Sequence, residues 1–394
     1  MNEIIIARGS LACFKEAIRA KNVRMGFIGG SITEAHRESN WPYFVNGWFV
    51  KKFPAVRYVW ENAAIGGTGS LSGIMRAQRD LIDTRCDIVF VEYAVNDGPG
   101  EETMRTREGL VRKLLEEKRD VVFVYTYCQH MYAAMAEGNL PPSIAELELL
   151  AEHYNIPSIW MGLHAYNEVK AGRMSWEAWL PEGLHPEYMG SGVYAEPVIK
   201  YLENELNAPD HSPISHGTAL PAPHNPNHFQ HIDEIPFDAI DLHGPWAERR
   251  EVILPWYRTV LSTAADGAGL SLSFTGRALC AMLNFGKMSG ILNYRVDGGE
   301  WREFVGERCA WVPDKNWCRP VLFADDLGGG THLFELTVTH GTNGVISRPG
   351  AARLGRTSTA SPRYRLVPGG AVTSIHREPP MAETGSSARD GRLP

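Results

Sequence analysis

A doubly wound, mostly parallel α/β sheet in three layers (α/β/α) is the fold class predicted for the first half of the chain, with a small β-sandwich following it. Three observations predict this. Between about residues 23 and 205, short β-branched or aromatic runs alternate with longer amphipathic stretches. The inner runs are apolar almost throughout, as a sheet covered on both faces requires. After a Pro- and His-rich break, the apolar period becomes that of strands.

Residues 23–29, 57–62, 86–94, 120–127 and 156–161 read as strands. Between and after them, residues 41–53, 71–82, 102–118, 143–155 and 187–206 read as helices. Strict alternation of the two implies right-handed crossovers and one parallel sheet. Residues 208–234 are rich in Pro, His and Asn and have no apolar period, so a linker or a strap over a surface is expected there. Residues 270–285, 291–304 and 332–340 alternate as half-buried strands, and Asp297-Gly298-Gly299 is a hairpin signal. The expected domains are thus 1–207 (α/β/α), 235–346 (a jelly-roll-like β-sandwich) and a disordered tail over 347–394. From Arg348 onward the tail has eight Arg, no Lys and three acidic residues amid Gly, Pro and Ser.

Composition narrows the function. The 394 residues are 44% hydrophobic and 22% charged with a formal net charge of −7, which suits soluble domains. Such a balance lacks the basic field that DNA or an anionic membrane would demand, so neither nucleic acid nor membrane is an expected partner. No window approaches about 20 apolar residues, and the first residues lack the pattern of a secretory signal; a cytoplasmic protein is expected. Six scattered cysteines without CxxC spacing are read as thiols, with no structural zinc. The linker histidines His211, His216, His224, His228 and His231 fit no recurrent ligand spacing, so no metal is expected. A homo-oligomer is compatible with the sequence.

Open α/β sheets bind ligands at the carboxyl ends of their strands. Four segments stand out at that edge: Gly29-Gly30-Ser31-Ile32-Thr33, Asn62 to Gly69, Ala94-Val95-Asn96-Asp97, and Glu182-Gly183-Leu184-His185-Pro186 before the last helix. Glycines from Gly66 to Gly73 miss the dinucleotide-binding spacing by one residue and follow the second strand, so no nucleotide cofactor is expected.

Taken together, these four blocks resemble the SGNH (GDSL-like) hydrolases, serine esterases with a flavodoxin-like fold. The resemblance covers roughly the first half of the chain. It implies that Ser31 is the nucleophile, that Gly67 and Asn96 join Ser31 as oxyanion donors, and that His185 is the general base. The family usually places an Asp three residues before this His; here the position is Glu182. Block one is Gly-Gly-Ser where the family has Gly-Asp-Ser, and Ala94 stands where a Gly is usual.

The chemistry asks for these residue types. A serine hydroxyl needs an adjacent imidazole to take its proton, and a carboxylate on the other ring nitrogen fixes the tautomer. Preorganised N–H donors stabilise the oxyanion as the carbonyl becomes tetrahedral. An SGNH domain joined to a β-sandwich resembles bacterial carbohydrate O-acetylesterases, which implies a small-molecule or oligosaccharide ester substrate and no cofactor. A broad short-chain or lipase-like esterase, and a non-catalytic carbohydrate-binding protein, are the alternatives. Trp246, Trp256, Trp301, Trp311 and Trp317 are candidate sugar platforms or core residues.

Overall fold

The computed structural model describes residues 3–34, 40–208, 219–250, 259–263, 265–285, 289–306, 317–339, 364–366 and 372–376. The first sheet contains β1 (Ile5–Ile6), β2 (Asn22–Gly29), β3 (Arg57–Asn62), β4 (Ile88–Glu92), β5 (Asp120–Val124) and β6 (Ser158–Ile159). Their order is β1-β6-β5-β4-β2-β3; every neighbouring pair is parallel except β1 with β6. The helices of this half are α1 (Ala12–Arg19), α2 (Trp41–Lys52), α3 (Ser70–Ala77), α4 (Glu101–Glu116), α5 (Tyr132–Ala136), α6 (Pro142–His153), α7 (Met161–Lys170), α8 (Trp176–Trp179) and α9 (Tyr188–Asn207). One set packs α2, α7 and α8 against α9, and a second packs α3 and α6 against α4.

All five predicted strands and all five predicted helices of this half are present. Every residue of β4 and β5 is buried, which explains their unbroken apolar runs. Four further elements escape the sequence pattern: β1 is only two residues long, α5 and α8 span five and four residues, and α7 starts at the second residue after β6. The short pieces β1, α5 and α8 complete no period of their own. Helix α1 lies ahead of the region where the alternation begins.

The second half builds two antiparallel sheets. One holds β7 (His231–Ile235), β9 (Ala247–Arg250), β10 (Thr259–Thr263), β12 (Ala278–Phe285), β15 (Trp317–Ala324), β17 (Tyr364–Leu366) and β18 (Val372–His376). The other holds β8 (Asp241–His243), β11 (Gly269–Thr275), β13 (Ile291–Val296), β14 (Arg302–Val305) and β16 (Thr331–Thr339). Asp297 and Gly298 take positive φ at the predicted hairpin between β13 and β14. Strands β17 and β18 come from the segment expected to be a disordered tail; they pair with β10, β12 and β7, while the rest of that segment lies outside the described residues.

The run at 270–285, read as one half-buried strand, divides at Gly276 into β11 and β12, which belong to different sheets. Strand β12 does not alternate; all eight of its residues are buried. Leu279, Ala281, Leu283 and Phe285 join the core between the two β-sheets. Their neighbours turn the other way: Met282 packs with Val260 and Met75, Cys280 Sγ lies 3.5 Å from Met75 Sδ, and Ala278 packs with Phe229 and Leu71. A strand with apolar partners on both faces has no reason to alternate.

Of the expected linker, residues 219–230 form a strap on α4, while 231–234 already belong to β7. Arg105 Nε donates to the Asn227 carbonyl at 2.8 Å, Phe229 N–H donates to the Arg105 carbonyl at 3.2 Å, and the Arg105 guanidinium lies 4.4 Å from the Phe229 ring centre. Arg105 also makes a two-pronged ion pair with Asp325 of the β-domain, at 2.6 and 2.8 Å. Arg277 joins Asp326 to Asn227. Among the described residues, five cysteines are free thiols, no helix is long and apolar enough to cross a membrane, and no group of three or more His, Cys, Asp or Glu could hold a metal.

Gly109 on α4 allows the strap its close approach, since a Cβ there would lie 2.5 Å from the Phe229 carbonyl carbon. Gly→Ala inside a free helix stabilises by up to about 1 kcal/mol. Here the sign reverses: Gly109→Ala is expected to destabilise by about 1–3 kcal/mol through overpacking, read as a lower urea midpoint.

Candidate active site

Strand β2 enters the site through Gly29 and Gly30. The Gly30 carbonyl accepts the N–H groups of Thr33 and Glu34, both at 3.1 Å, and this tight turn leaves Ser31 half-buried at its crest. Behind the turn, Trp41 packs edge-on against Phe27 at 5.4 Å and donates its indole N–H to Thr33 Oγ1 at 3.0 Å. Asn62, at the end of β3, donates to the Thr33 carbonyl at 2.6 Å. The turn is therefore held from helix α2 and from the end of β3.

His185 reaches Ser31 from the loop before α9. Its Nε2 lies 2.7 Å from Ser31 Oγ, and its Nδ1 is hydrogen-bonded to Glu182 Oε1. With Glu182 accepting a hydrogen bond from the protonated Nδ1, Nε2 keeps a lone pair to accept the Ser31 hydroxyl. The loop closes by a Gly183 N–H bond to the Leu180 carbonyl at 2.9 Å, with Gly183 at φ +87°. Only glycine adopts that conformation at little cost. The extra methylene of Glu182, compared with Asp, is absorbed in this loop, and the Glu182 side chain remains 58% exposed.

The other two blocks close in beside Ser31. Ile65 N–H binds the Gly29 carbonyl at 3.0 Å, which runs the block-two loop along the turn. A Cβ on Gly66 would sit 3.4 Å from Ser31 Cβ, and Gly67 follows at φ +70°. Asn96 packs its amide over Gly30, in the space a Cβ there would need. Among the described residues, no carbonyl accepts the N–H of Ser31 or of Gly67. All five predicted site residues thus converge on one edge of the sheet.

The glycine spacing that mimics a dinucleotide loop has a packing cause. A Cβ on Gly69 would lie 2.2 Å from Asp97 Oδ1, and one on Gly73 would lie 2.4 Å from the Tyr93 hydroxyl. Asp97 is buried; it accepts the Ser70 N–H at 3.0 Å and Arg107 Nε at 3.0 Å. Of the candidate sugar platforms, Trp246 is half-buried with its indole N–H on the Gly269 carbonyl at 2.8 Å, and Trp301 is exposed with the Arg295 guanidinium 4.7 Å from its ring centre. Trp256, Trp311 and the side chain of Trp317 lie outside the described residues.

Sequence reasoning missed Glu92. Fully buried at the end of β4, it accepts the Gly30 N–H at 3.3 Å, the Thr33 hydroxyl at 3.1 Å and the Thr126 hydroxyl at 2.7 Å. Gly29 has no Cβ because the Glu92 backbone and carboxylate occupy that space. The available signal was an acid closing the otherwise apolar run Ile88-Val89-Phe90-Val91-Glu92. Burial pushes its carboxyl up to about 7, against the lowering effect of its three donors.

With these positions, a serine hydroxyl backed by imidazole and carboxylate stands at the carboxyl edge of a three-layer sheet, and a β-domain is seated on the helices beside it. That combination defines the fold as a three-layer α/β/α domain joined to an antiparallel β-domain. The crystal structure of a two-domain esterase, CEX, active on acetylated mannans and co-crystallised with mannopentaose, is similar in fold: TM-score 0.76, 23% identity, 95% of this chain and 97% of that chain. Two acetyl xylan esterases are similar over about half of this chain. AlAXEase matches with TM-score 0.40, 18% identity, 46% of this chain and 100% of its own; Axe2 from Geobacillus stearothermophilus with 0.36, 17%, 48% and 95%. No family model and no curated protein matches the sequence.

The Glu92 shift has a pH consequence. Its native pKa lies above its unfolded value, so the native state binds the extra proton and stability falls as pH rises from the unfolded towards the native pKa. Relative to Glu92→Gln, the wild type should lose about 2–3 kcal/mol between about pH 5 and pH 8, read from urea midpoints at each pH. Parallel pH profiles for the two proteins would contradict it.

Proposed function

We propose that this chain is a serine esterase that removes short acyl groups, chiefly acetyl, from a carbohydrate. The observation that carries the proposal is the unbroken hydrogen-bond chain Ser31 Oγ to His185 Nε2, at 2.7 Å, and His185 Nδ1 to Glu182. Such a chain, assembled from loops about 150 residues apart in sequence, also favours a catalytic protein over a binding-only one.

In the proposed reaction, Ser31 Oγ attacks the ester carbonyl carbon while its proton passes to His185 Nε2. The carbonyl oxygen becomes an anion and is held by the N–H groups of Ser31 and Gly67 and by the Asn96 amide. Collapse expels the sugar oxygen, which takes the proton from His185, and leaves the acyl group on Ser31. Water then attacks this acyl-enzyme while His185 removes its proton; collapse breaks the bond to Ser31 Oγ, which takes that proton back from His185, and acetate departs. Glu182 stays ionised throughout, orienting the ring and stabilising the imidazolium. The activity of the similar two-domain esterase on acetylated mannans supports an acetylated glycan as the substrate class.

Fluorophosphonate treatment should add one label, which peptide mapping locates at Ser31. Turnover of 4-nitrophenyl acetate should fall at least about 10³-fold in Ser31→Ala and in His185→Ala. Glu182→Gln should cost only about 10- to 100-fold, because the exposed carboxylate site lets water take over part of the orienting. Wild-type turnover equal to that of Ser31→Ala on acetate, butyrate and octanoate esters would overturn the proposal. Rates rising with chain length would replace it by a lipase-like activity.

A further inference from the structure

At the carboxyl end of β5, next to the strand that leads to Asn96, a cleft of about 410 Å³ opens beside the proposed triad. Its walls are Tyr127, Gln129, Tyr132, Trp176, Leu180 and Gly183. Gly183 lies between Glu182 and His185 in the chain, so the cleft shares a wall with the loop that presents the imidazole. We propose that this cleft is the glycan subsite: it takes the pyranose rings of a neutral oligosaccharide whose ester lies at Ser31. The inference rests on the esterase reading for its substrate and deepens it.

Three features of the walls favour a neutral sugar. Trp176 is stacked on Trp179 with ring centres 5.2 Å apart and planes at 23°, which fixes one side of the indole against the buried Trp179. Tyr127 and Tyr132 flank it at 5.8 and 6.0 Å, and Tyr132 is 48% exposed. A rigid aromatic group with one wet side suits a ring that offers C–H groups on one face and hydroxyls at its edge. Gln129 is exposed, and its amide lies against Gly183, where a Cβ would be 2.4 Å from Nε2. It supplies both a donor and an acceptor for sugar hydroxyls.

No lining residue is charged. Wall chemistry of this kind, apolar with a few polar groups, gives orientation to a neutral ligand and offers a uronate no counter-charge. The cleft is open to solvent along Tyr132, unlike the dry pocket an acyl chain would need. In the β-domain, Trp301 is the exposed competitor, but the Arg295 guanidinium already covers part of its ring.

The test combines titration calorimetry with kinetics on the full chain. Unacetylated mannotriose, xylotriose and a trigalacturonate are titrated into wild type, Tyr132→Ala, Trp176→Ala and Trp301→Ala. At least one neutral trisaccharide should bind the wild type better than the acidic one. Trp176→Ala should weaken that binding about tenfold and Tyr132→Ala about threefold, while Trp301→Ala changes it less than about twofold. Because Trp176 is part of an aromatic cluster, the half-exposed Tyr132 provides the variant least able to unfold the protein. The ratio of kcat/KM on the acetylated trisaccharide to that on 4-nitrophenyl acetate should fall in the same order. Unchanged binding in both cleft variants, tighter binding of trigalacturonate, or a loss confined to Trp301→Ala would overturn the subsite. A wild type that binds the neutral sugar through Trp176 and Tyr132 yet hydrolyses neither ester would instead overturn the esterase reading alone.

Discussion

One buried ion pair, Asp97 with Arg107, ties the carboxyl edge of the sheet together. Asp97 sits where Gly69 lacks a Cβ, takes the Ser70 N–H that begins α3, and belongs to the same loop as Asn96. Arg107, on α4, spends its remaining donors on the carbonyls of Asp97 and Gly98 and on Glu146. A pair buried this deeply costs desolvation, and removing one partner would strand the other charge at a cost of about 3–5 kcal/mol. Its benefit is geometric. Two loops from different strands and one helix share a single set of hydrogen bonds, so the proposed oxyanion donors Gly67 and Asn96 hold their places without a ligand.

Helix α4 extends that constraint across the molecule. Arg107 faces the site, whereas Arg105 faces the strap and Asp325 of the β-domain. Glu108 and Arg112 are buried beside them: Glu108 accepts the Asn225 N–H of the strap at 2.7 Å, and Arg112 donates to Gln230 and to the Pro221 carbonyl. Helix α3, whose first residue is held by Asp97, carries Met75 into the apolar contact with Cys280 and Met282 of β12. The β-domain is thus seated on the two helices that position the block-two and block-three loops, and is not a module hanging from a flexible tether.

What the sequence reveals follows from how local each feature is. Strands β2, β4 and β5 are legible because burial on both faces writes itself into nearly continuous apolar runs. Ser31, Gly67, Asn96, Glu182 and His185 are legible because each lies in a short block at a strand end or just before a helix, where the topology dictates a common edge. Arg105, Arg107, Glu108 and Arg112 are not: within the stretch from Glu101 to Glu116 they read as an ordinary solvated helix face. Only the strap and the β-domain, distant in sequence, turn that face into an interior. Glu92 is hidden for the same reason, since a carboxylate after four apolar residues looks like a strand emerging into water until Thr126 and Gly30 arrive from other strands.

Strand β12 shows how far this reasoning carries. A sandwich strand with one free face alternates, and the run from Leu270 was read on that rule. The rule holds for β11, which keeps Ser271 and Ser273 off the core, but in β12 the alternate residues Ala278, Cys280 and Met282 are also apolar and buried. Read with the period of two in mind, the loss of alternation after Gly276 is itself information: a second apolar face demands a second partner. The sequence therefore did encode the seating of the β-domain on the α/β half. Its message was the absence of a pattern, and that becomes readable only when a strand's polar face is treated as a requirement for water and its loss as a requirement for contact.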